Sequence, residues 1–174
     1  MRSTRVRSEK TNMKLLELSS QAWQSQLTEW INDAECEFDT AATLTFRNDP
    51  ETMERASTQL RFFLNKLNDA CFGRNWSRRA RHDPRSRIAV LPIIENGYAM
   101  KRLHYHCLFS CPDFIDEDRF RMLINICWDQ TRDGGGRSNE VQRLYDRDGW
   151  TGYISKELRA SDFDKLDIHN AHIY

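Results

Sequence analysis

The chain has 174 residues, with 26 Lys and Arg against 26 Asp and Glu, a size that suits one domain with a single core and a balance that gives no net charge to draw the whole molecule to nucleic acid. No apolar run approaches the ~18 residues of a membrane span, and the N-terminus lacks the apolar stretch of a secretory signal. Five Cys without framework spacing fit reduced, cytoplasmic thiols better than disulfides, and no Gly-rich GxxxxGK[ST] run exists, which excludes a P-loop ATPase.

Residues 1–14 carry Arg2, Arg5, Arg7, Lys10 and Lys14 against Glu9 and read as a basic, mobile arm. Residues 15–160 form the expected domain, and 161–174 a solvated C-terminal tail. From Leu15 to about Phe38, apolar Trp23, Leu27, Trp30, Ile31 and Ala34 recur at the spacing of one helical face, so an N-terminal helix is predicted there. Ala41 to Phe46, rich in Thr and β-compatible residues, predicts a short strand. Asp49-Pro50 then opens a helix as cap and first residue, with Met53, Ala56, Leu60, Phe63, Leu67, Ala70 and Cys71 as its core face and Gly73 as its stop. Residues 74–87 hold six arginines. Ile88 to Glu95 reads as a strand, at an edge or bulge because Pro92 lacks a ladder donor. Leu103 to Cys111 reads as the next strand, and Asp116 caps a helix through Trp128. Gly134-Gly135-Gly136 predicts a flexible turn before a weak strand at 140–146, and a last helix starts near Gly149. The order, a helix followed by βαββαβα, predicts an α+β domain around an antiparallel sheet, since the middle strands are joined too closely for a crossover.

Alternation along the 103–111 strand puts Leu103, Tyr105, Cys107, Phe109 and Cys111 on one face and Arg102, His104, His106, Leu108 and Ser110 on the other. His104 and His106 are thus spaced to hold one metal ion, although an isolated His-x-His is more often a half-buried polar pair. Glu95, the one acid between Ser86 and His104, is the natural third ligand. Two imidazoles and a carboxylate leave open positions for oxygen ligands and suit Mn²⁺ or Mg²⁺ without excluding other metals. Register decides whether they meet. A tight turn at Asn96-Gly97 would set His104 about 20 Å along the ladder from Glu95, whereas a wide loop over roughly 96–103 sets the two opposite each other. On the predicted last helix, Trp150, Ile154 and Leu158 form an inward stripe, and Tyr153 and Lys156 share another face.

Three motifs taken in order, Thr43-Leu44-Thr45-Phe46, His104-Tyr105-His106 and Tyr153-Ile154-Ser155-Lys156, together with Glu95, resemble the HUH endonucleases of the rolling-circle replication initiator (Rep) type over about residues 41–158. The resemblance implies that Glu95, His104 and His106 bind a divalent ion that polarises a scissile phosphate. It also implies that Tyr153 attacks a single DNA strand, leaving a 5′-phosphotyrosyl link and a free 3′-hydroxyl, and that Lys156 positions the phosphate or neutralises charge. Tyr105 departs from the pattern, which usually has an aliphatic residue there, and the N-terminal helix lies outside the family core. No segment here could serve as the helicase that viral members often carry, so a separate host helicase and polymerase are the expected partners. The replicon would be a plasmid, phage or small DNA virus, in a prokaryotic cytoplasm or, for a eukaryotic virus, the nucleus.

Arg74, Arg78, Arg79 and Arg81 can neutralise phosphates, Trp76 can stack on an unpaired base, and Lys101 and Arg102 flank the histidines. Alternatively these arginines pair with the acids of 15–60. His169 and His172 read as part of the solvated tail. Three readings compete with replication: a relaxase or transposase of the same class, a non-catalytic origin-binding module, and a structural α+β protein with an incidental His pair.

Overall fold

The computed structural model describes residues 25, 29–31, 33–95, 103–145 and 165–174. Strands β1 (Thr40–Thr45), β2 (Val90–Glu95), β3 (His104–Phe109) and β4 (Glu140–Arg143) form an antiparallel sheet in the order β2-β3-β1-β4. Helices α1 (Met53–Phe72) and α3 (Glu117–Asp129) pack against it, with a short α2 (Trp76–Arg79) and a 3-10 turn (Pro84–Ser86) between α1 and β2. The described part is therefore α+β, as the element order predicted.

Alternation explains the two faces. Leu44, Ala42, Ile94, Val90, Tyr105, Cys107 and Phe109 point to the helices and meet Ala56, Leu60, Phe63 and Leu67 of α1 and Phe120, Ile124 and Trp128 of α3. Phe63 and Trp128 lock edge to face with centroids 5.5 Å apart, and the Trp128 indole N–H donates to the Thr45 carbonyl at 2.8 Å. Each large apolar side chain buried there contributes roughly 1.5–3 kcal/mol. Asn68, also buried, donates to Leu64 O and accepts from the Ile88 N–H, which ties the end of α1 to the approach of β2. The opposite face is covered in part by Ile31, Cys36, Phe38 and Leu166, over Ala41, Leu91, Ile93 and Leu108.

Several boundaries differ from the sequence expectation. The predicted N-terminal helix does not reach Phe38: residues 33–39 are not helical, because the Tyr174 carbonyl takes the Glu35 and Cys36 N–H groups and Phe38 turns into the sheet. Helix α1 starts at Met53 with Thr52 as its cap, accepting from the Arg55 N–H, rather than at Asp49. Met53 and Ala70 are exposed, and Leu64 and Asn68 replace them inside. Gly73 ends the helix as expected, at φ 76°. The Gly134–Gly136 turn is tightly packed rather than loose: Gly135 has φ 76°, and a Cβ at Gly136 would meet Thr45 Oγ1 at 2.2 Å, so small residues let this loop close on β1. Strand β4 ends at Arg143, and the predicted helix near Gly149 lies outside the described residues.

The largest correction concerns the C-terminus. Residues 165–174 are not a solvated tail. They run antiparallel along β2 through the bridges Ile93↔Leu166 and Val90↔His172, and the Asp167 N–H donates to the Pro92 carbonyl. Pro92 thus sits on an outer strand of the sheet, as predicted. Leu166, Asp167 and Asn170 are buried. His169 remains exposed. The His172 Nε2–H donates to the Pro84 carbonyl at 3.0 Å. No helix of the described residues is long and apolar enough to cross a membrane.

Burial, and then the nearby Arg87 guanidinium, push the His172 imidazole down to about 4, below its unfolded value of ~6.5. The unfolded chain therefore binds this proton more readily, so the stability that neutral His172 contributes is complete above pH ~6.5 and is lost as pH falls toward 4. His172→Gln keeps a donor but cannot titrate. Thermal unfolding between pH 7 and pH 4 should show a smaller fall in Tm for this variant than for wild type.

Candidate metal centre

The β2–β3 register pairs Glu95 with His104 and Ile93 with His106, and the β1–β3 register pairs Thr45 with His104 and Thr43 with His106. The wide loop, not the tight turn at Asn96-Gly97, is therefore the connection. Residues opposite each other in an antiparallel pair share a face, so Glu95, His104, His106, Thr43 and Thr45 converge on the face away from the helices.

Three ligand atoms meet there. Glu95 Oε2 lies 3.0 Å from His104 Nε2 and 3.1 Å from His106 Nε2, and the two Nε2 atoms are 3.1 Å apart. A single proton can bridge one edge of this triangle, whereas a cation can serve all three corners. Each residue offers one ligand atom to a shared ion, and two imidazoles with a carboxylate are a donor set that several divalent ions, Mn²⁺, Fe²⁺ and Zn²⁺ among them, can use. Side-chain exposures of 14% for His104, 15% for His106 and 27% for Glu95 leave one side open to further oxygen ligands. Burial pushes the Glu95 carboxyl up, but the two imidazoles outweigh it and hold the group below its usual value, so a carboxylate is present at neutral pH. Among the described residues this is the one cluster of His, Cys, Asp or Glu spaced to hold a metal.

Neighbouring contacts hold the triangle in place. Thr43 Oγ1 lies 3.3 Å from His106 Nδ1. The Thr45 N–H and hydroxyl both donate to Asn139 Oδ1, at 2.8 and 2.9 Å. The Arg55 guanidinium grips the buried Asp133 carboxylate at 3.1 Å, and Asp133 O accepts the Arg47 N–H, so the 131–139 loop is fastened to the end of β1. Tyr105, the departure noted between the histidines, points to the other face, where its hydroxyl donates to Asp167 Oδ2 at 3.0 Å. Burial first, and then this carboxylate, push the phenol pKa up, so Tyr105 stays a donor. Asp167 also accepts from Asn170 Nδ2 at 2.7 Å, and Asn170 in turn donates to the Ser57 carbonyl on α1. The strand that carries both imidazoles is thus bolted to the C-terminal segment and to α1.

Other candidate residues fall elsewhere. Tyr153, Lys156, Lys101 and Arg102 lie outside the described residues. Arg74, Arg78, Arg79 and Arg81 are exposed and Trp76 is half-buried, near the C-terminal end of α1. They lie between the long helix α1 and the start of β2, whose other end carries Glu95. Within the run, Arg85 pairs with Glu35 of the acidic segment at 2.7 Å, and Arg79 donates to the Phe72 carbonyl. Sequence reasoning passed over Thr43, Asn139 and Asp167, although Thr43 stood inside a motif already singled out.

No protein-family model, curated protein or solved structure matches the chain.

Adding Mn²⁺ to about 100 times its Kd should stabilise the protein by ~2.7 kcal/mol, a rise in Tm of roughly 5–10 °C for a domain of this size. EDTA should reverse the rise, and Glu95→Ala, His104→Ala and His106→Ala should each remove most of it, as read by differential scanning fluorimetry.

Proposed function

We propose that the protein is a metal-dependent single-strand DNA endonuclease and strand-transferase of the HUH Rep type that starts rolling-circle replication. The supporting observation is the convergence of Glu95, His104 and His106 on one face of the sheet with atoms 3.0–3.1 Å apart, which joins residues that the sequence resemblance had linked only by order. A divalent ion held by these three would draw charge from a phosphate oxygen. The Tyr153 phenol gives up its proton and its oxygen forms the new bond to phosphorus, while the bond from phosphorus to the 3′ oxygen breaks. The 3′ oxygen takes a proton and leaves as a free hydroxyl, and the 5′ phosphate stays on Tyr153. Lys156 offsets charge that builds on the phosphate in the transition state. Ring closure by a second 3′-hydroxyl runs the same exchange in reverse.

The arginines of 74–87 fit a different task in this scheme. Placed between α1 and the start of β2, they would grip DNA that flanks the cleaved strand rather than the scissile phosphate.

Labelled single-stranded oligonucleotides with Mn²⁺ should yield a denaturation-resistant protein–DNA band. Tyr153→Phe should reduce it by at least ~10³-fold, and chelator should abolish it. His104→Ala and His106→Ala should lose cleavage with much less loss of DNA binding. An adduct that survives in Tyr153→Phe would move the nucleophile, first to Tyr145, which is 86% exposed. Binding without any adduct would favour the non-catalytic origin-binding reading.

Replacing Arg74, Arg78 and Arg81 together by Ala should weaken DNA binding for all sequences alike. The slope of log K against log salt should become shallower by about 2–3, near 0.9 for each lost contact to duplex DNA. Fluorescence anisotropy across a salt series reads both effects.

A further inference from the structure

We propose that Thr43 is a positioning residue for the metal centre, its hydroxyl accepting the His106 Nδ1–H when Nε2 faces an ion. This rests on the reading of Glu95, His104 and His106 as a metal site. Neutral His106 carries a hydrogen on either Nδ1 or Nε2, and each position has a waiting acceptor. On Nε2 the hydrogen would point at Glu95 Oε2, 3.1 Å away, forming a good hydrogen bond that blocks the ligand position. On Nδ1 it points at Thr43 Oγ1, 3.3 Å away, and the Nε2 lone pair then faces the triangle. A hydroxyl can donate to a bare Nδ1 or accept from Nδ1–H, so Thr43 steadies the ring in both forms, and an ion on Nε2 puts the hydrogen on Nδ1 with Thr43 as its acceptor.

The strand geometry makes Thr43 suited to this work. It is directly opposite His106 in the β1–β3 register. Strand β1 is flanked on both sides by β3 and β4, so its backbone is held by ladder bonds along both edges. A Thr side chain has a stiff χ1, which keeps Oγ1 at a set height above the sheet. Thr45, one pleat along and opposite His104, shows the contrast, because its hydroxyl is committed to Asn139 Oδ1 at 2.9 Å. Two threonines on one face of one strand therefore have different tasks, one fastening a loop and the other steadying an imidazole. Partners of this kind behind a metal-bound imidazole are typically worth 10–100-fold in metal affinity.

The test uses the full chain with Mn²⁺ alone as the probe and free-ion EPR as the readout. Thr43→Val removes the hydroxyl and keeps the branched shape, and it should weaken Mn²⁺ binding ~10–100-fold. Thr43→Ser restores the acceptor and should return the affinity to within about threefold of wild type. Long-range ¹H–¹⁵N spectra with saturating Mg²⁺ should show His106 protonated at Nδ1, that N–H exchanging more slowly in wild type and Thr43→Ser than in Thr43→Val. Equal Mn²⁺ affinity in wild type and Thr43→Val, equal weakening in Thr43→Val and Thr43→Ser, or equal Nδ1–H exchange in wild type and Thr43→Val would each overturn the proposal. Should wild type itself fail to bind Mn²⁺, the metal reading falls and the proposal falls with it.

Discussion

The candidate site depends on one alignment, the antiparallel register that sets Glu95 against His104. Side chains on a strand alternate with a period of two, so a slip of one residue between β2 and β3 would send Glu95 to the helix face and the imidazoles to the other. The register is held by contacts on both faces. Ile94, Tyr105 and Leu44 belong to the helix-side core, and Ile93 and Leu108 to the opposite one, so any slip would expose apolar groups on one side and bury a carboxylate on the other. Burying an unpaired carboxylate is among the costliest things a core can be asked to do.

This division of labour explains why a polar cluster persists in a sheet packed on both sides. The helix face is closed by aromatic and aliphatic side chains along its whole length. Among the described residues the other face is closed at the end where Leu91 and Leu108 meet Phe38 and Ile31, and it gives way to Thr43, Thr45, His104, His106 and Glu95 at the end where β1 leads toward α1. The carboxylate stays charged because the imidazoles lie against it, and the imidazoles stay ordered because the strand beneath them is tied to Asp167 through Tyr105.

Much of this was legible in the residues themselves. Alternation placed His104 and His106 on one face, the scarcity of acids between Ser86 and His104 singled out Glu95, and Pro92 marked an outer strand. What was not legible depended on tertiary choices. The loop after Glu95 was compatible with two registers, and the choice between them is made by the cores on both faces. Asp49 and Thr52 are both able to cap a helix, and the chain uses Thr52. The apolar spacing that predicted helix as far as Phe38 is overridden where the Tyr174 carbonyl takes the Glu35 and Cys36 N–H groups. The C-terminal segment reads as a solvated tail because its apolar residues are too few and too scattered to announce the docking along β2. Thr43 could be placed on a strand from sequence, yet the partner of its hydroxyl follows only from which residue lies across from it.

The C-terminal segment has one more effect on the molecule. A bare outer strand offers a row of unused N–H and C=O groups that can recruit an extended peptide or a second copy of the same chain. Here β2 spends those groups on residues 166–172 of its own chain, and β4, at the other margin, is a stub of four residues with Glu140 and Arg143 at its ends. Edge-to-edge pairing is thereby discouraged at both margins of the described sheet.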